Sequence, residues 1–493
     1  MADRNWAGET GAAGEDGFAE EVAATLAQAG AALPAVAPDA VGLLRARYRR
    51  IRRRRARLAT ATVAVLVLTV SLAGVALVRG PHRRTAPAGP PAGVPAGVIR
   101  VWTLATTDPD SALRRMVDRY NRTAEVPVEL STFANDEYKE RLRTMPTGPA
   151  APDVLMTWGG ERLTRLAREG RLAELTGPGR QQPEVAGPFL PRVLAGGAVD
   201  GRQYGLPMSG TQPVLLFYHR GLFAQAGLRP PTTYPELLAL VDAFASRGVT
   251  PIALGGAQGW TELMYLMYLV ERIGGAAVAR QIALGRPGAW SDPAVLAALR
   301  TVRDLVARGA FGTDFGSLGY DDGAASARFA TGRAAMQLMG SWEYQNQLAR
   351  HPEVVRDGDL GWVPFPAVPG GAGDPAAVVG VPAHFLSVSA ASPHREAATA
   401  FVRGVASDEY LDALVATGEV PPVTDPARLR GTAHAPFATA VHGLVSRAPD
   451  YDLAWDLTLP PGPAAALNTG LQRLFRAELT PERFVAEMAA TTG

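Results

Sequence analysis

Four tryptophans stand near the ends of predicted strands or helices, where an indole ring can stack against a ligand. Trp158 closes a predicted strand, and Trp260 lies between a glycine-rich loop and a helix. Trp342 follows a Gly-Ser pair, and Trp455 lies between acidic residues. A sugar needs an apolar face to stack on and polar groups to pair with its hydroxyls. We therefore expect a cleft that is both aromatic and polar, although a single tryptophan of this kind is more often a core residue.

Four polar side chains near these positions are candidates for hydrogen bonds to a ligand: Asp108, Glu161, Thr211 and Glu343. Two of them have an ordinary structural alternative. Asp108 precedes Pro109, so it is also a predicted helix N-cap. Glu161 falls in the first turn of a predicted helix, where a carboxylate stabilises the helix dipole.

The sequence contains no short catalytic motif. Its one lysine, Lys139, follows a tyrosine, which excludes a P-loop, and neither H-E-x-x-H nor G-x-S-x-G occurs. The chain has no cysteine, which excludes disulfides, thiolate metal sites and a cysteine nucleophile. We predict a protein that is not an enzyme and has no cofactor and no metal. Because glycosidase carboxylates leave no short motif, an exported glycoside hydrolase stays as an alternative.

Strands and helices alternate in the pattern of an α/β fold with a mainly parallel sheet. Apolar runs predict strands at 98–104, 126–130, 153–158, 214–218 and 334–339. Helical spacing predicts helices that include 135–145, 233–248, 393–405, 408–416, 465–476 and 480–489. In such folds ligands bind at the carboxyl ends of the strands, which is where Trp158 and Trp342 fall.

A predicted transmembrane helix at 58–78 organises the rest of the chain. None of its 21 residues is charged, and a helix of 21 residues is long enough to cross the hydrocarbon core of a bilayer. Nine arginines among residues 45–57 place the N-terminal side in the cytoplasm. We expect a single-pass protein of the cell membrane with an extracellular C-terminal region. A cleaved signal peptide and a buried soluble helix are the alternatives.

This topology divides the chain into four segments: a cytoplasmic tail with an arginine-rich flank at 1–57, the span at 58–78, a Pro/Gly/Ala linker at 79–97 and a folded region at 98–493. The tail is predicted to be disordered or to bind a cytoplasmic partner. Residues 98–493 hold 36 basic and 40 acidic residues. Their balance offers no basic surface for nucleic acid, so we predict no nucleic-acid partner.

Several stretches of the folded region, in order, resemble the extracellular solute-binding proteins of ABC importers, the family of maltose-binding and multiple-sugar-binding proteins. They are PDVLMTWGG (152–160), LAREGRLAEL (166–175), GRQYGLP (201–207), FYHRGLFAQAGL (217–228), PTTYPEL (231–237), PIALGGAQGW (251–260), FATGRAAMQLMGSW (329–342), and 397–407 with the two prolines at 421 and 422. The resemblance covers about residues 98 to 490. No single stretch is diagnostic, but their common order is specific.

The resemblance implies a two-lobed, periplasmic-binding-protein-like α/β fold with a hinge, here preceded by one transmembrane helix. It also implies a carbohydrate ligand held between the lobes and an ABC permease as partner. The chain departs from the family in two ways. The anchor replaces the usual lipid-modified cysteine, and His219 stands where the family often has asparagine. Because the tail is longer than a tether requires, an extracellular sugar sensor that signals through the tail or a partner is the alternative function.

Overall fold

The computed structural model describes residues 97–106, 110–147, 151–175 and 187–492. These residues belong to one compact unit, Gly93–Gly493. Among them, no helix combines the length and the apolar character needed to cross a bilayer. The predicted span at 58–78 and the predicted tail at 1–57 lie outside the described residues, as does nearly all of the linker.

The first part of the chain alternates strands and helices. Its elements are β1 Ile99–Leu104, α1 Ala112–Asn121, β2 Val128–Phe133, α2 Asn135–Arg143, β3 Val154–Thr157, α3 Gly160–Arg168, α4 Pro191–Leu194, β4 Ala198–Val199, β5 Arg202–Gln203 and β6 Leu206–Pro207. Strand β1 buries every second residue, and β3 is buried throughout. The alternation in this part follows the sequence prediction closely.

The start of helix α1 corrects one prediction. Asp108 was expected to cap this helix, but α1 begins at Ala112 with Ser111 at the N-cap position. Asp108 itself lies outside the described residues. The buried face of α1 is formed by Leu113, Met116 and Val117, which recur at helical spacing.

The middle part of the chain begins with β7, which is buried over most of its length. Its elements are β7 Gln212–His219, α5 Arg220–Ala226, α6 Tyr234–Ala245, β8 Thr250–Ala253, α7 Gly259–Gly274, α8 Ala276–Ala283, α9 Pro293–Ala307, α10 Ala324–Ala330, β9 Ala334–Gly340, α11 Trp342–Arg350, α12 Pro352–Arg356, β10 Leu360–Val363 and β11 Val378–Val381. Helix α6 starts with a capping box, in which the side chains of Thr233 and Glu236 each accept a hydrogen bond from the backbone N–H of the other.

The last part is mostly helical, as predicted. Its elements are β12 Phe385–Val388, α13 Arg395–Arg403, α14 Asp408–Ala416, α15 Ala435–Arg447, β13 Tyr451–Leu453, α16 Trp455–Thr458, α17 Pro461–Phe475 and α18 Pro481–Thr492.

The strands form two main sheets, one in each lobe. The sheet of lobe 1 has the order β2-β1-β3-β12-β6, and that of lobe 2 has the order β13-β11-β7-β9-β8 with β10 also paired to β7. Each sheet packs into its own hydrophobic core. The two-lobed α/β prediction is therefore confirmed.

The expectation of a mainly parallel sheet is only partly correct. In lobe 1, β2, β1 and β3 are parallel, and β12 runs antiparallel to both of its neighbours, β3 and β6. In lobe 2, β7 is antiparallel to each of its neighbours. The reversed strands arise because the chain crosses between lobes, so β7 and β12 enter their sheets from these connections rather than from βαβ units.

Within the described residues the chain passes between the lobes at 208–211, 382–384 and 417–434. Backbone bonds tie these connections together: Met208 N–H donates to His384 O at 2.8 Å, and Thr211 N–H donates to Val420 O at 2.8 Å. A Cβ at Gly210 would lie 2.6 Å from Val420 N, so only glycine lets the first and third connections approach this closely. The three connections form one hydrogen-bonded hinge region.

Candidate ligand-binding site

A cavity of about 420 Å³ lies between the lobes. Lobe 1 contributes residues after β1 and β3 and from helix α2, and lobe 2 contributes the first turns of α7 and α11. The hinge region lines it through Ser209, His384 and Glu419. Its volume falls in the range of small-molecule sites in proteins. The cavity is thus bounded by both lobes and by the segments that join them.

Two tryptophans of lobe 2 share one wall of the cavity because the strands that precede them end at the same edge of the sheet. Strands β8 and β9 are parallel, so the helices that follow them, α7 and α11, begin on the same side. Trp260 and Trp342 occupy the first turns of those helices, and their ring centroids are 6.2 Å apart. The ring of Trp342 lies directly over Gly340, where any side chain would collide with it.

Tyr320 completes this aromatic wall. Its ring packs edge-on against Trp260 at 5.3 Å. Its hydroxyl donates to the Glu343 carboxyl at 2.7 Å and accepts from Asn346 Nδ2 at 2.6 Å. These bonds fix the ring, so the wall of Trp260, Trp342 and Tyr320 is preorganised.

On the other side of the cavity, Trp158 follows β3 of lobe 1. It is almost fully buried, with 6% of its surface exposed, and its ring meets the His384 ring edge-on at 6.1 Å. Burial lowers the pKa of His384 to about 4, so the imidazole is neutral at physiological pH. A neutral imidazole offers one donor and one acceptor nitrogen to a ligand.

The charged groups on the cavity come from both lobes. Lys139 of α2 and Asp456 of α16 form an ion pair at 2.8 Å. Asp321 and Arg350 of lobe 2 also line the cavity. Burial raises the pKa of the Asp321 carboxyl above its ordinary value, and the positive charge of Lys139 offsets only part of this rise. The site therefore combines apolar rings with charged and neutral hydrogen-bonding groups.

The structure brings three of the four predicted tryptophans onto the cavity and leaves one outside it. Trp158, Trp260 and Trp342 line the cavity. Trp455 is fully buried in the core of lobe 2, packed edge-on against Trp290 at 5.8 Å. Its position corrects the prediction of a stacking face, because an indole enclosed on all sides has no face to offer a ligand.

The three predicted polar residues that the structure describes fall around the cavity rather than on it. Glu161 lies in the first turn of α3 with its carboxylate 3.7 Å from Arg165 Nε. Thr211 belongs to the hinge region, where its hydroxyl donates to Tyr451 at 3.4 Å. Glu343 is completely buried and holds Tyr320. Burial raises the pKa of Glu343, which its hydrogen bonds oppose. As for Asp108, it lies outside the described residues, so a direct ligand contact stays a prediction for it.

Sequence reasoning missed several groups that line the cavity: Lys139, Tyr320, Asp321, His384 and Asp456. One signal was available, because Lys139 is the only lysine of the chain. The partner of Lys139 lies 317 residues away, a separation that no local pattern reveals.

Two lobes, a hydrogen-bonded hinge and an aromatic and polar cavity between them define a ligand-binding protein of the two-lobed class. The family model described as "bacterial extracellular solute-binding protein" matches residues 105–411. The chain belongs to this family.

Known proteins similar to this chain agree with that assignment. An uncharacterised ABC transporter extracellular-binding protein of Pyrococcus horikoshii is 24% identical over 40% of this chain and 46% of its own length. The multiple sugar-binding protein of Streptococcus mutans is 26% identical over 42% of this chain and 47% of its own length. The matches thus span about half the length of these curated relatives.

A solved structure is similar over nearly its whole length. It comes from work on xylan utilisation by the thermophilic bacterium Caldanaerobius polysaccharolyticus and is 25% identical to this chain. The two superimpose with a TM-score of 0.71, over 80% of this chain and 99% of the other.

Proposed function

We propose that this protein binds a carbohydrate between its lobes and delivers it to an ABC permease. The observation that carries the proposal is the set of three tryptophan rings, contributed by both lobes, on one cavity with polar side chains among them. Stacking on an indole and hydrogen bonding to hydroxyls are the two interactions that a pyranose ring requires. The name of the Streptococcus mutans relative, a multiple sugar-binding protein, supports this ligand class.

In the proposed binding mode the ligand lies between the wall of Trp260, Trp342 and Tyr320 and the Trp158 side. The neutral His384 imidazole, the amide of Gln345 and the carboxylate of Asp321 line the same space and provide hydrogen bonds. Because the site draws on both lobes, a bound ligand interacts more strongly with the closed arrangement than with an open one. We infer that the protein binds its ligand without chemical turnover. The support is that the relatives are named as binding proteins.

We further propose that residues 58–78 anchor the protein in the cell membrane with the binding domain outside. The support is the charge-free run of 21 residues and the arginine block before it. The linker at 79–97 then holds the binding domain near the permease and raises its local concentration there.

Titration calorimetry of the full-length protein against a panel of mono- and oligosaccharides tests the ligand class. We expect saturable heat with at least one saccharide and stoichiometry near one. Heat with none of them, together with saturable binding of an amino acid, peptide or polyamine, would contradict the carbohydrate proposal. A chromogenic glycoside panel tests the hydrolase alternative in the same preparation, and turnover would contradict a purely binding role.

A further inference from the structure

The ion pair between Lys139 and Asp456, the closing pair, joins the two lobes across the cavity. Lys139 lies on α2 of lobe 1, and Asp456 lies on α16, which packs on α17 in lobe 2. The Lys139 ammonium is 2.8 Å from Asp456 Oδ2. Their side chains are 21% and 5% exposed, and both residues line the cavity. A charged hydrogen bond so shielded from water is stronger than a pair on the surface.

The segment around Asp456 is shaped to touch both lobes. We call residues 453–457 the ridge. Trp455 is part of the core of lobe 2, whereas Leu453 and Leu457 on either side of it pack against the core of lobe 1. A Cβ at Gly160 would lie 2.8 Å from Leu457 O, so a glycine at the start of α3 allows this contact. The closing pair therefore belongs to a built contact between the lobes.

The residue type at position 139 is itself unusual. The other 48 basic side chains of this protein are arginines, and Lys139 is the single lysine. Its ammonium also lies 5.9 Å from the centroid of the Trp158 ring. An ammonium is a compact charge on a flexible stem, whereas a guanidinium is a wide planar group. The compact ammonium of Lys139 therefore lies between the Trp158 ring and Asp456 of the ridge.

A contact between the lobes stabilises the arrangement in which they lie together, and moving Lys139 away from Asp456 would remove it. A ligand enclosed between the lobes leaves after they separate, and separation breaks the closing pair. The strength of the pair therefore enters the barrier for ligand release.

We propose that Lys139 and Asp456 form a latch that retains the ligand by slowing its dissociation. This inference rests on the proposed function, since it needs a ligand held between the lobes. Lys139 and Asp456 act here as positioning residues for closure, so their effect falls on the rate of dissociation and much less on the rate of association.

Stopped-flow kinetics on the full-length protein, with a saccharide identified by calorimetry, test the latch. Lys139→Ala and Asp456→Ala should each raise the dissociation rate about tenfold, the effect of losing one charged hydrogen bond. The double variant should be no worse than either single one, because both remove the same interaction. Lys139→Arg should restore part of the retention. Arg143→Ala is the matched control, since Arg143 pairs with Glu140 on the exposed side of the same helix.

A second measurement needs no variant. Because Lys139 is the only lysine, an amine acetylating reagent can modify only this side chain and the N-terminal amine. We expect saturating saccharide to slow acetylation of Lys139 several-fold, as read by mass spectrometry, and to leave the N-terminal amine unaffected.

The outcomes separate the two proposals. Absence of saccharide binding by the wild-type protein would overturn the proposed function. Normal binding with unchanged dissociation in Lys139→Ala and Asp456→Ala, or acetylation of Lys139 that the saccharide does not slow, would overturn the latch alone.

Discussion

At the scale of single residues, the site depends on side chains that are fixed before a ligand arrives. Glu343 illustrates this, because its buried carboxyl accepts from the Tyr320 hydroxyl at 2.7 Å and from the Ser326 hydroxyl at 3.0 Å. It holds one wall of the cavity without lining the cavity. We therefore expect Glu343 to contribute to affinity through preorganisation rather than through contact with the ligand.

The first prediction concerns the aromatic wall. Trp342→Ala should weaken saccharide binding by about 2 kcal/mol, or roughly 30-fold in Kd, because it removes a stacking face. Trp362→Ala is the control, since Trp362 is also half-buried but packs on Phe437 at 5.0 Å, away from the cavity. Calorimetry on both variants measures the difference. Equal affinities in two folded variants would mean that Trp342 is not a stacking face.

The second prediction concerns Glu262, which is completely buried and has no hydrogen-bond partner among the described residues for either carboxyl oxygen. Burial raises its pKa to about 9. An unfolded chain releases this proton near pH 4.3, whereas the folded protein keeps it up to about pH 9. The folding stability should therefore fall as the pH rises from about 4.3 to 9.

Glu262→Gln removes this titration. It should raise the free energy of unfolding at pH 7 by on the order of 3 kcal/mol and have little effect at pH 4. Denaturant unfolding at pH 4, 7 and 9 measures both values, and Glu478→Gln, on an exposed side chain, is the control. If Glu262→Gln raised the free energy of unfolding by the same amount at all three pH values, the buried, protonated state of Glu262 would be contradicted.

At the scale of elements, the important contact is the one between the start of α3 and α16. Helix α3 begins at Gly160, a residue with φ of +64° that also leaves room for Leu457 O of the opposite lobe. The glycine thus serves two purposes, a left-handed backbone and a close approach between lobes.

The third prediction separates these two purposes. Gly160→Ala and Gly170→Ala both place a side chain on a left-handed backbone, and each should cost about 1 kcal/mol of stability. Gly170 has φ of +67° and open space around it, so its substitution should leave saccharide affinity unchanged. Gly160→Ala should weaken binding several-fold because it pushes the lobes apart. Equal affinity in both variants would show that the contact with α16 does not support the closed state.

Most elements could be predicted from the sequence because local patterns determine them. The apolar runs of β7 and β9 and the spacing of α14 gave their positions to within about two residues. The direction of a strand in its sheet could not be predicted in the same way. It depends on which connections cross between the lobes, and such crossings leave no periodic signal.

The candidate site could be predicted only in part. Trp158, Trp260 and Trp342 were selected because each follows a strand end or a glycine-rich loop, and all three line the cavity, while their contact with a ligand stays a prediction. Trp455 has a similar local sequence, but the short ridge turns it into the core of lobe 2 and turns its neighbour Asp456 towards the cavity. A shift of one residue along the ridge decides whether the indole or the carboxylate faces the cavity. The local sequence does not determine which of the two it is.

At the scale of the whole molecule, the hinge region joins two separately packed cores. Each core can stay intact while the lobes move, because the chain needs to rotate only at the connections. Ligand binding should therefore appear as a change in the distance between lobes rather than within either of them.

The fourth prediction concerns the distance between the lobes. Because the chain has no cysteine, dyes can be attached to two introduced cysteines and to no other residue. Arg122→Cys in lobe 1 and Arg286→Cys in lobe 2 are at exposed positions. Energy transfer between dyes on these cysteines should rise on saturation with saccharide, as the lobes close. A pair of labels within lobe 1, at Arg122 and Glu169, should show no change. If the efficiency of energy transfer between Arg122→Cys and Arg286→Cys were the same with and without bound saccharide, closure of the lobes would be contradicted.

The most direct test of the central claim is a crystal structure of the saccharide complex. We predict that the sugar lies between the lobes, with one pyranose face against Trp342 or Trp260 and its hydroxyls paired with groups of both lobes. A saccharide bound elsewhere, with the cavity between the lobes containing only solvent, would contradict the account.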